Sequence, residues 1–246
     1  MDPNKRTRIL ATAGIVVVAG ALVFAGYTIV TRSVSRIGVF TRPTGVSTRV
    51  ERSEDGPMLP VVIGDLGEFT AVAATGGWKI TIAPGDFAVQ VFASDRAADQ
   101  VRVSQRDGTL SLDLAPGTIS VSDGLEAEIT VPDLRRIDIR GGANVRFAGF
   151  DLESLALRID GAASVVATNG TIGSLDLVVN GAANVDLSDS PVVDARVALD
   201  GASNLTIAMA GGELSGSLRG VGNVTYTGDV TTESIRVEGL GRVRRR

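Results

Sequence analysis

The chain has 246 residues, 44% of them hydrophobic, with a formal net charge of −4 and neither histidine nor cysteine. Those absences remove Ser-His-Asp and Cys-His nucleophilic arrangements, the common zinc ligand sets, a lipoprotein attachment thiol and any disulfide. Among the first 42 residues, Lys5, Arg6, Arg8, Arg32, Arg36 and Arg42 face a single acid, Asp2, so the acidic excess falls on the remainder. An acidic body repels a nucleic-acid backbone, and no nucleic-acid partner is expected.

Residues 9–31 carry no charge. A run of that length crosses a bilayer as a helix, and Lys5, Arg6 and Arg8 ahead of it place the N-terminus on the cytoplasmic side. Residues 1–31 therefore predict an uncleaved membrane anchor. The alternative is a cleaved secretory signal with a small-residue site near Ala19–Ala21 or Val23–Ala25, although the run exceeds the roughly 7–15 apolar residues of a signal core. Either reading sends the rest of the chain out of the cytoplasm. Residues 32–60 are polar and irregular, with Pro43, Gly45, Pro57 and Pro60, and read as a linker.

Residues 61–246 form the expected folded domain. Up to about residue 131 the chain alternates polar and apolar positions without an evident repeat. Strands are predicted around Phe69–Val72, Trp78–Ile82, Phe87–Val91, Val101–Val103, Leu110–Leu114 and Leu125–Val131. Pro84-Gly85-Asp86, Asp107-Gly108 and Pro116-Gly117 supply turns, and Asp107-Gly108 between alternating runs marks a hairpin. These strands are expected to lead into a stack of regular coils and to cover its N-terminal end.

From about residue 135 a motif of glycine, any residue, a small residue, Asn or Ser, and Val or Leu recurs, its last copy truncated with Arg242 in the Asn position. Its glycines are Gly141, Gly161, Gly181, Gly201, Gly220 and Gly239, at intervals of 20, 20, 20, 19 and 19. So regular a period marks a solenoid. Ahead of each glycine the pattern has period two, as in Leu155, Leu157 and Ile159, which selects β-strands rather than helices. The chain is thus expected to be all-β, a single-stranded β-helix-like solenoid with coils of about 20 residues. Stacking the repeats predicts an apolar column of Ile139, Ile159, Val179, Leu199, Leu218 and Val237. A second holds Val145, Val165, Val185, Leu205, Val224 and Val243, and Leu152, Ile172 and Val192 begin a third.

The glycines are assigned to corners that need positive φ or close backbone approach. Asn144, Ser164, Asn184, Asn204 and Asn223 should stack as a ladder of hydrogen-bonded side chains; a ligand-binding row of amides is the alternative. The residues before the glycines, Arg140, Asp160, Asn180, Asp200, Arg219 and Glu238, mix charges and read as a solvated face. Weak calcium binding through Asp160 and Asp200 is the other reading, but the dense Gly-Asp pattern of calcium β-rolls is absent. No metal site, cofactor site or catalytic residue is expected. The best enzymatic rival is glycoside hydrolysis by a carboxylate pair, Asp186 with Asp189 or Asp176 with Asp194. The repeats offer few aromatics to line a sugar groove, only Phe147, Phe150 and Tyr226. Arg242, Arg244, Arg245 and Arg246 at the C-terminus read either as a solvated cap against edge-to-edge pairing or as a dock for anionic lipid.

Several pieces occur in the order of one known family. They are Gly67-Glu68-Phe69-Thr70-Ala71-Val72, Trp78-Lys79-Ile80-Thr81-Ile82 followed by Ala83-Pro84-Gly85-Asp86, then Asp107-Gly108-Thr109-Leu110-Ser111-Leu112, and Val131-Pro132-Asp133-Leu134 running on to Ile137. Over about residues 65–243 this arrangement resembles the auto-transporter adhesin head domain family, also called the GIN domain, a domain of unknown function. The resemblance implies a right-handed β-helix-like fold on an exported bacterial protein and carries over no catalytic residue. The resulting expectation is a non-catalytic envelope protein anchored in the bacterial inner membrane. Its β-helix lies in the periplasm and presents a surface to an envelope protein or glycan. A purely structural or sensory role is the remaining alternative.

Overall fold

The computed structural model describes residues 58–64, 66–115 and 124–246. The anchor segment, nearly all of the linker and the Pro116-Gly117 turn lie outside the described residues. No helix among those described is long and apolar enough to cross a membrane.

Eleven strands form one sheet: β1 (Met58–Pro60), β2 (Ala71–Pro84), β3 (Ala88–Ser94), β4 (Val101–Arg106), β5 (Thr109–Leu114), β6 (Leu125–Val131), β7 (Arg136–Ala148), β8 (Asp151–Thr168), β9 (Thr171–Ala210), β10 (Glu213–Asp229) and β11 (Thr232–Arg245). The long β9 runs through two coils, because the ladder to its neighbours survives the bends at Gly181 and Gly201. From β7 onward every pairing is parallel, with Gly141 beside Gly161, Gly161 beside Gly181, Gly201 beside Gly220 and Gly220 beside Gly239. The β-solenoid expected from the period is the observed architecture.

Corner glycine is a steric necessity. All six motif glycines have positive φ, between +105° and +138°. A Cβ on Gly161, Gly181, Gly201, Gly220 or Gly239 would run into the carbonyl oxygen of the glycine one coil earlier. Stacked corners approach too closely for any side chain on that side.

The core is the set of inward columns. In the first, Ile139, Ile159, Val179, Leu199 and Leu218 are buried, and the second is buried from Val145 to Val224. Burial fails only in the last coil, where Val237 is 38% exposed. Lateral stacking at about 4.8 Å gives each inner side chain two apolar neighbours, and the last coil has only one.

The region before residue 131 departs from its sequence reading in two ways. Met58–Pro60 pairs antiparallel with β3, so the folded body already includes residues placed in the linker. Phe69–Val72 and Trp78–Ile82, read as separate non-repeating strands, contribute to one 14-residue strand, β2. That strand stacks in register on β7, with Gly76 on Gly141, Lys79 on Asn144 and Ile80 on Val145. It is one further coil of the solenoid. The excursion from β3 to β6 separates it from the next coil in sequence, which hides the repeat from a 20-residue period.

The excursion closes the N-terminal end. Ala71–Ala74 of β2 pair with β5, and Lys79–Pro84 pair with β6, on the edge away from β7. Beyond β6 lie β3 and β1, both antiparallel. The hairpin predicted at Asp107-Gly108 joins β4 to β5. Both turn residues have positive φ, 50° and 71°, as a type I′ turn requires. At the opposite end, among the described residues, β11 pairs with β10 alone.

Candidate functional site

Three rows run along the corner, one residue from each coil. Past the glycine comes an outward row: Gly77, Gly142, Ala162, Ala182, Ala202, Val221 and Leu240. An inward row is next, from Trp78 through Ala143, Ala163, Ala183 and Ser203 to Gly222 and Gly241. The third row points out again: Lys79, Asn144, Ser164, Asn184, Asn204, Asn223 and Arg242. Because the first two rows are mostly glycine and alanine, the surface sinks between its walls. A shallow groove of about 660 Å³ follows the corner from Trp78, Lys79 and Glu126 to Ala202. A second of about 640 Å³ shares Ala202 and continues past Val221 and Leu240 to Arg242. Seven stacked coils give the corner a length of about 29 Å.

The groove's chemistry is graded. At its N-terminal end Lys79 Nζ donates to Glu126 Oε1 at 3.0 Å, and Trp78 Nε1 donates to the Thr75 carbonyl at 3.0 Å, which fixes the indole as the first floor plate. The middle offers methyl groups and amides. At the far end Val221 and Leu240 are 56% and 79% exposed beside Arg242. Ser203 alone brings a hydroxyl into the floor row, where it is buried without a hydrogen-bond partner.

The side-chain ladder is shorter than the sequence implies. Asn223 Nδ2 donates to Asn204 Oδ1 at 3.1 Å, and Arg242 Nε donates to Asn223 Oδ1 at 3.2 Å. Asn144, Ser164 and Asn184 occupy successive rungs but make no such bonds to one another. A serine hydroxyl is too short to bridge one coil to the next, so Ser164 bonds neither Asn144 nor Asn184; Asn184 and Asn204, though both amides, also make no bond to each other. Asn223→Ala removes two bonds at once and should lower stability by about 1 kcal/mol. Asn184→Ala removes none and should leave the urea midpoint unchanged.

The row before the glycines holds paired groups. Asn180 Nδ2 donates to Asp160 Oδ1 at 2.7 Å, and Arg219 forms an ion pair with Glu238 at 3.1 Å. Among the described residues no three acidic side chains gather as metal ligands. Of the four carboxylates weighed for hydrolysis, Asp176, Asp186, Asp189 and Asp194, two accept hydrogen bonds elsewhere. Asp186 Oδ1 accepts from the Ser188 amide and hydroxyl at 3.0 and 2.6 Å. Asp194 Oδ1 accepts the Glu213 amide at 2.8 Å, and Asp176 belongs to a different row, beside Ala156. None of these four aspartates lines the groove. One exposed cation is perturbed: the hydrogen bond to Asp133, and then its charge, hold Arg135 above its ordinary pKa.

Sequence reasoning singled out the Asn and Ser row but missed the groove beside it, along with Gly77, Lys79, Glu126, Val221 and Leu240. Gly76-Gly77-Trp78-Lys79-Ile80 was the available signal, since it matches Gly141-Gly142-Ala143-Asn144-Val145 position for position.

Comparison with known proteins agrees with this architecture. A putative adhesin from Bacteroides fragilis shares the fold with a TM-score of 0.58 at 18% identity, over 79% of this chain and 98% of that one. A putative lipid binding protein from Parabacteroides distasonis aligns at 0.48 and 11%, over 78% and 97%. A putative cell adhesion protein from Clostridium sporogenes aligns at 0.36 and 13%, over 77% and 100%. No curated protein matches the sequence. The family described as "putative auto-transporter adhesin, head GIN domain" matches residues 68–230, which takes in the Gly76 coil, the N-terminal closure and the regular coils through β10. The chain belongs to that family.

Proposed function

We propose that this protein is a non-catalytic component of the bacterial envelope that binds a protein or glycan along the corner groove. Residues 9–31 hold it in the inner membrane, with the solenoid in the periplasm. The observation that carries this reading is the continuous groove, with its floor of small side chains and backbone and its flanking row of amides. A smooth floor lets an extended polymer approach the backbone closely, and amides both donate and accept, as hydroxyl-rich and peptide ligands require. Adhesin naming in the family fits a surface-presenting role.

The test is a binding screen of the full chain in detergent micelles against peptidoglycan fragments, lipopolysaccharide and envelope glycans, with product analysis in the same samples. Saturable binding without products is the expected result. Ala182→Trp should weaken it at least tenfold, because an indole at mid-groove blocks a polymer. Its unfolding midpoint should stay within about 0.5 kcal/mol of wild type, since residue 182 is exposed. Released oligosaccharides would overturn the non-catalytic reading. Binding unchanged in Ala182→Trp would move the site off the groove.

A further inference from the structure

The amides beside the groove are of two kinds. Asn223 is tied to Asn204 and to Arg242. Asn144 and Asn184 are exposed and make no hydrogen bond among the described residues. Both line the larger groove, and the unbonded hydroxyl of Ser164 stands between them. Two coil spacings, about 9.6 Å, separate the two free amides. We infer, on the reading that this groove binds a polymer, that its ligand is a neutral glycan of flat, equatorially linked pyranose rings (the cellulose type), lying along the solenoid axis with one ring on each coil.

Charge narrows the choice first. Among the described residues the larger groove has two charged lining groups, Lys79 and Glu126, and they neutralise each other at 3.0 Å. From Gly142 to Ala202 its lining is uncharged. A phosphate, a uronate or a charged peptide side chain finds no counter-ion on those coils. Hydrogen bonding then weighs against an extended peptide. Each peptide residue brings an N–H and a C=O that need partners, which strand addition supplies from a free sheet edge. Here β7, β8 and β9 are paired with coils on both sides. Only side-chain groups remain, at intervals of about 4.8 Å, whereas an extended peptide advances about 3.3 Å per residue and falls out of step.

A ribbon of equatorially linked rings keeps step. Each ring advances the chain by slightly more than one coil spacing of about 4.8 Å. Successive rings are turned over, so every second ring offers the same edge to one wall. That repeat is close to the separation of Asn144 and Asn184. Ring hydroxyls donate and accept, as a carboxamide does. The C–H face of each ring rests on the methyl groups of Ala162, Ala182 and Ala202, and a row of methyls sets no register, so the small drift between ring and coil is absorbed. Trp78 is 2% exposed and offers no platform for stacking. Each ring is therefore held weakly and affinity accumulates along the chain. The larger groove takes in the five coils of Gly77, Gly142, Ala162, Ala182 and Ala202, so five rings fill it.

The test is calorimetric titration of the full chain in detergent micelles with cello-oligosaccharides of two to six rings. The five-ring chain should bind at least tenfold more tightly than the two-ring chain, and the sixth ring should add less than twofold. Malto-oligosaccharides, the same sugar linked axially into a curved chain, should bind at least tenfold more weakly at equal length, and so should the charged oligogalacturonates. Asn184→Ala costs the fold no hydrogen bond and should lower affinity for the five-ring chain about fivefold. No binding of that chain, affinity indifferent to length, equal binding of the malto series, or an unchanged Asn184→Ala would overturn the glycan assignment. Oligogalacturonate bound in its place, and lost in Ala182→Trp, would do so while leaving the groove its role. Five-ring binding that survives Ala182→Trp would remove the groove as well.

Discussion

Gly181→Val is expected to destabilise the protein by about 4 kcal/mol or more and leave little of it folded at growth temperature. Two costs combine. Gly181 has φ +135°, where a β-branched residue is strained by about 1–3 kcal/mol. In addition, its new Cβ would occupy the space of the Gly161 carbonyl oxygen. Neither side can yield, since Gly161 is held against Gly141 and Gly201 against Gly181 in the same way. Gly211→Ala separates the two costs, because Gly211 has φ +99° but nothing within 4 Å of its added Cβ. It should lose only the backbone part. Urea unfolding of both variants measures the difference, and equal midpoints would remove the close-approach argument.

Leu199→Ala should be the next most damaging change, at about 2–5 kcal/mol. Leu199 is 2% exposed in the first apolar column and pairs with Leu218 of the following coil. Truncation leaves a void between coils whose spacing is fixed by the backbone ladder, so the walls cannot collapse inward. Val193, in the same coil, is 42% exposed, and Val193→Ala should cost under about 0.5 kcal/mol. A loss shared equally by the two sites would mean that inward and outward faces are misassigned.

The regular coils were legible because two independent periods coincide there. Period two sets the faces and period 20 stacks them, so Ile139, Ile159 and Val179 align from their spacing alone. The Gly76 coil carries the same motif, but a period search reads spacing, and a long antiparallel excursion stands between it and Gly141. The expected amide ladder is bonded only from Asn204 through Asn223 to Arg242; Ser164 is too short to bridge coils, and the adjacent amides Asn184 and Asn204 are not bonded to each other. The groove escaped notice for a different reason. Glycine and alanine at a corner look like packing requirements residue by residue, and only their repetition along the axis makes a concavity. The carboxylate pairs were weighed as groups that could approach one another on a coil face. The structure sets Asp176 and Asp194 in different rows and gives Asp186 and Asp194 local hydrogen bonds, none of them in the groove.

Parallel register, with each Gly-led corner over the last, also makes length a countable property of this molecule. Excising residues 161–180 would join Asp160 to Gly181 and regenerate an intact corner, leaving a protein one storey shorter. An excision of odd length inside a strand would instead turn the rest of that strand inside out, whereas a one-residue change at a bend, as between Gly201 and Gly220, leaves the inward columns aligned. Lineages of such a chain can therefore vary their reach only by gaining or losing whole storeys of about 4.8 Å. A ligand's dimensions would be matched by how many times the unit was copied rather than by reshaping any one of them.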